Sequence, residues 1–126
     1  MSNLAIHTDN APAAIGPYSQ AVKAGDLVFV SGQLPVDPAT GAFAGSDIAT
    51  QTRQSLTNVK SILEAAGSSL ADVVKTTVLL ADIADFAAMN AVYAEFFSDP
   101  FPARACFAVK ALPKAALVEI EAVAAK

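Results

Sequence analysis

The chain has 126 residues, 54% of them hydrophobic and 16% charged, with a net charge of −4. That length fits one domain, spanning 1–126, large enough to bury a real core. An acidic balance with only 8 basic residues supplies no obvious basic face for a phosphate backbone, which argues against nucleic acid as a partner. One cysteine and one histidine exclude an internal disulfide and a Cys/His zinc cluster within one chain, and suit a reducing cytoplasm. The apolar runs are broken well short of the roughly 18 residues a membrane span needs. The surplus apolar surface therefore points to another protein surface, most simply a copy of the same chain.

The opening MSNLAIHTDN has neither a basic nor an apolar leader region, and Leu4–His7 is a candidate short strand. Asn10–Pro17 carries loop signals. Tyr18–Ala24 and Leu27–Gly32 read as a hairpin turned at Gly25-Asp26, and Pro35–Gly45 as a Pro/Gly loop. Ser46 or Asp47 can cap a helix with inward positions Ile48, Gln51/Thr52, Ser55, Val59, Ile62/Leu63 and Ala66, closed by Gly67. Val73–Leu80 is short and β-branched, hence a strand. Asp82 caps a second helix with the stripe Ile83, Phe86, Met89/Asn90, Tyr93 and Phe96/Phe97, which Asp99-Pro100-Phe101-Pro102 stops. Ala103–Val109 and Leu117–Ala124 are the last strands, split by a loop at Pro113. The order β-β-α-β-α-β-β predicts an α+β plan, with two helices on one face of a mostly antiparallel sheet and the other face left for a partner.

Few residues are left to carry chemistry. Strand alternation puts Arg104 and Cys106 on one side of FPARACFAV. A half-buried guanidinium there can grip a carboxylate with two parallel hydrogen bonds; the alternative is a plain surface or interface salt bridge. Glu119 and Glu121 share a face of LVEIEAV, either as acids that raise each other's pKa or as two solvated groups on an exposed edge. Cys106 reads first as a small buried hydrophobe. Tyr18 follows the rigid Gly16-Pro17, Ser31-Gly32 ends a strand, and Asn90 is a polar residue on the apolar stripe; each is a ligand contact or a structural group. Lys75 has nothing around it that suggests a Schiff base, and a serine triad would have to recruit His7 near the terminus. No glycine-rich nucleotide loop occurs.

At these residues the chain resembles the RidA family of reactive-intermediate deaminases, also called the YjgF family. NAPAAIGPYSQAV, VFVSGQLPVDPATG, QTRQSLTNVKSILEAAG, DVVKTTVLLADIADFAAMNAVYAEFF, FPARACFAVKALPK and VEIEAVA carry the resemblance in order over nearly the whole chain. It implies a chorismate-mutase-like fold, a homotrimer with sites in the clefts between subunits, and no metal or organic cofactor. It implies hydrolysis of 2-iminobutanoate and 2-iminopropanoate to 2-keto acids and ammonia. By the same resemblance Arg104 clamps the substrate carboxylate, Glu119 positions water and Tyr18 helps move protons. Cys106, Ser31, Gly32 and Asn90 then line the substrate. The loop SDPFPAR departs from the longer version of some relatives, which bears on the cleft rim. Three other readings stand beside this one: a module that binds 2-keto acids without turnover; an RNA-acting protein, since such activities are also attributed to the family; and a holdase-like chaperone, for which apolar surface is a motive but no sequence motif exists.

Overall fold

A computed structural model describes residues 3–126; Met1 and Ser2, which open the stretch read for a leader, lie outside them. The elements are β1 (Leu4–Ile6), β2 (Ala21–Ala24), β3 (Leu27–Gln33), α1 (Ile48–Ala65), β4 (Val73–Leu80), α2 (Phe86–Phe96), β5 (Ala103–Ala108) and β6 (Val118–Ala125). The six strands make one sheet in the order β1-β2-β3-β6-β4-β5. Every pairing is antiparallel except β4 with β5, which α2 connects. The chain thus has the expected α+β architecture, with α1 packed on β3, β6 and α2.

The core follows from strand alternation. Val28 and Val30 of β3, Val78 and Leu80 of β4, and Val118, Ile120, Ala122 and Ala124 of β6 are buried toward the helices. Leu56, Val59, Ile62 and Leu63 of α1, with Met89 and Tyr93 of α2, fill the space above them. The opposite sheet face leaves Leu27, Phe29 and Phe107 exposed.

Several boundaries differ from the sequence reading for local reasons. Asp47, not Ser46, caps α1 by accepting from the Thr50 N–H at 2.9 Å. Gly67 (φ +78°) closes α1: its N–H donates to Glu64, and that of Ser68 to Leu63, the paired pattern of a Schellman turn. β2 begins at Ala21 rather than Tyr18, because Gln20 turns its side chain inward. That amide accepts from the Thr8 N–H and donates to the Thr8 and Pro12 carbonyls, tying down the N-terminal loop. Asp82 caps a 3-10 turn, Ile83–Asp85, and α2 starts only at Phe86. Ile83 is therefore exposed, and the buried stripe of α2 is Met89, Val92 and Tyr93.

Candidate functional site

β5 is an edge strand, and its register decides where Arg104 points. Arg104 lies opposite Thr76 and Cys106 opposite Val78, both buried partners, so these side chains face the helical layer. There α2 presents Phe86, Asn90 and Tyr93, spaced one and two helical turns apart on one face. Arg104 Nη1 donates to Asn90 Oδ1 at 2.7 Å. The guanidinium carbon sits 4.8 Å from the Tyr93 ring centre and 5.5 Å from that of Phe86. The Tyr93 hydroxyl is in turn anchored on the buried Thr76 Oγ1 at 2.7 Å. Asn90 is thus neither a helix cap nor an isolated polar group; it holds the arginine. Among the described residues no carboxylate pairs with Arg104, which rules out an internal salt bridge. The cation is held by rings and one neutral oxygen, and no carboxylate among the described residues takes its remaining N–H donors.

Cys106 is half-buried next to this arginine. Burial pushes its thiol pKa up and the Arg104 charge offsets that only in part, so a resting thiol, not a thiolate, lines the strand. Burial likewise raises the Tyr93 phenol.

The second group of residues lies elsewhere. A cavity of about 890 Å³ is walled by the N-terminal loop, by Tyr18, Ser31, Gly32 and Glu119, and by Lys114 and Glu121. β6 is an inner strand between β3 and β4, so Glu119 does not lie on an exposed sheet edge. Its carboxyl is half-buried, and that burial, with the like charge of Glu121 second, raises its pKa above the ordinary carboxylate range. Ser31 donates its hydroxyl proton to the Ser19 carbonyl at 2.6 Å, which leaves its oxygen free only to accept. Tyr18, held by a tight turn in which its N–H donates to the Gly16 carbonyl, is half-exposed at the cavity.

Arg104, Cys106 and Asn90 therefore sit together, and Tyr18, Ser31, Gly32 and Glu119 sit together, but the sheet separates the two groups. Glu119 lies opposite Leu79, which lies opposite Phe107, on the face away from the helices. Lys75 is exposed outside the cavity, and His7 pairs weakly with Asp9 at the surface, 3.7 Å away. Among the described residues no group of His, Cys, Asp or Glu is arranged to hold a metal ion, and no helix is long and apolar enough to cross a membrane. Sequence reasoning missed Phe86, Tyr93 and Thr76 as arginine holders. The spacing of Phe86, Asn90 and Tyr93 was the available signal, since it puts a lone amide between two rings.

Residues 8–126 match the protein family described as endoribonuclease L-PSP. The RutC family protein y4sK of Sinorhizobium fredii is 62% identical over 118 residues, 94% of either chain. A Salmonella typhimurium protein named 2-iminobutanoate/2-iminopropanoate deaminase is 56% identical over 124 residues, 96% of either chain. The crystal structure of Escherichia coli TdcF with bound serine matches at a TM-score of 0.93 and 48% identity, covering 98% of both chains.

Proposed function

Because the chain belongs to this family, the endoribonuclease L-PSP group also known as RidA or YjgF, we propose that it hydrolyses reactive 2-imino acids to 2-keto acids and ammonia, with 2-iminobutanoate and 2-iminopropanoate as substrates. The observation that carries the reading is Arg104: a half-buried cation, oriented by rings and an amide, with no acid partner among the described residues. A 2-imino acid brings the missing carboxylate, and gripping it aims the adjacent C=N carbon.

Glu119 supplies the other half. Its desolvated carboxylate holds a water and takes its proton as oxygen adds to the imine carbon. The imine nitrogen gains one proton, giving a carbinolamine; its amino group then gains a second proton while its hydroxyl gives one up, the C–N bond breaks, ammonia leaves and the carbonyl forms. Tyr18 is the hydroxyl at the cavity able to donate, since the proton of Ser31 is already engaged.

Arg104 and Glu119 lie on opposite faces of the sheet, so one chain does not present both to one small molecule. The working site is therefore a cleft between subunits, with Arg104 from one and Glu119 from its neighbour. The apolar open face at Leu27, Phe29 and Phe107 is suited to the packing that such a homotrimer requires. The test couples a threonine dehydratase to the protein and follows imine decay. Arg104→Ala and Glu119→Gln should each be nearly inactive, while a mixed assembly refolded from equal parts regains about one quarter of the sites. No recovery on mixing, or a fully active monomer, refutes the shared site; no acceleration by the unaltered protein refutes the deaminase.

A further inference from the structure

Gly32 occupies a bulge. Val30 pairs with Ala122 and Gln33 with Ile120, so β3 uses one residue more than β6 across this stretch. Glycine is not needed there for its backbone freedom: the left-handed glycines are Gly25, Gly41 and Gly67. It is needed for space. A Cβ on Gly32 would lie 2.5 Å from Glu119 Oε2, 3.0 Å from Cδ and 3.2 Å from Cγ. The glutamate side chain thus lies along the bare backbone of β3, occupying the position where any other residue would begin its own side chain.

We propose that the absent side chain of Gly32 sets the position of the Glu119 carboxyl, making Gly32 a positioning residue for the group that holds the water. This rests on the deaminase reading for its catalytic consequence, but not for its geometry. With the carboxyl flush against β3, one side of it is closed to solvent and the other faces the cavity. A methyl group at residue 32 drives the carboxyl off the strand and out into the cavity, toward the place the substrate would take. The raised proton affinity of Glu119 is a second mark of the same closure.

The test is a double-mutant cycle with Gly32→Ala and Glu119→Gln. If Gly32 acts through Glu119, each single variant lowers kcat/KM by a similar factor, and the double variant is within about threefold of the worse single variant. Losses that multiply overturn the proposal. A measurement independent of turnover is the ¹³C titration of the glutamate carboxyls, with Glu119 assigned by its loss in Glu119→Gln. Its midpoint should fall toward the ordinary carboxylate range in Gly32→Ala; an unmoved midpoint overturns the proposal, and because the readout needs no activity it stands apart from any failure of the deaminase reading. If Gly32→Ala does not fold, Gly32→Ala/Glu119→Asp decides, since the shorter acid withdraws from the added methyl. Recovery of folding supports the contact, and continued unfolding assigns Gly32 to the bulge alone.

Discussion

Replacing Arg104 with alanine separates the ligand-clamp role proposed for it from its role in the fold. In the structure the guanidinium contributes one hydrogen bond, to Asn90, and lies near two rings, Tyr93 and Phe86. An ordinary hydrogen bond is worth about 0.5–1.5 kcal/mol, and a partly exposed cation–ring contact about 0.5–1 kcal/mol. Their loss costs the fold about 1–3 kcal/mol at most, because part of the group already meets water and Asn90 is rehydrated when the arginine goes. Losing a charged, desolvated hydrogen-bonded pair to a substrate carboxylate costs about 2–5 kcal/mol. At about 1.4 kcal/mol per factor of ten, that is a fall in kcat/KM of roughly 30-fold to several thousand-fold. The assay is imine decay in the dehydratase-coupled reaction, with urea unfolding of the same preparations alongside. Arg104→Lys keeps the charge but not the two-pronged geometry, and should still lose about tenfold or more. Activity of Arg104→Ala within twofold of the unaltered protein, in a folded sample, would refute the clamp.

Three further outcomes follow from the same geometry. On the proposed deaminase reading Glu119 works as a base only when ionised, so its raised pKa should shift the acid limb of kcat/KM upward from that of an ordinary carboxylate. Glu121→Gln removes the neighbouring like charge, so that limb should move to lower pH, and a limb that stays or rises contradicts the cause assigned here. Tyr93→Phe keeps the ring beside Arg104 but leaves Thr76 Oγ1 buried without its partner; it should cost about 1–3 kcal/mol in urea unfolding while kcat/KM changes less than threefold, and a large activity loss with little destabilisation would count against this division of roles. Gly67→Ala forces a side chain into the left-handed region and should cost about 1–2 kcal/mol with activity intact, read from the melting temperature.

Much of the architecture was legible in the residues because local periodicity carries it. Alternation in FPARACFAV placed Arg104 and Cys106 on one side, alternation in LVEIEAV did the same for Glu119 and Glu121, and Gly67 marked the end of α1. Where the backbone hydrogen-bonds locally in a competing way, boundaries moved: the 3-10 turn after Asp82 delayed α2, and the inward Gln20 delayed β2. The roles proposed for Arg104 and Glu119 came from the resemblance.

Strand alternation tells which side chains of one strand share a face, and nothing about which strand lies alongside. That depends on pairings distant in sequence. Only the tertiary structure made β6 an inner strand, set β5 parallel to β4 at the edge, and so turned Arg104 toward α2 while Glu119 faced the other way. The chemistry available was written in residue types, because few groups could perform it. The division of those groups between two faces, and the requirement for a bare backbone at Gly32 beneath Glu119, arose from packing between segments that no local pattern connects.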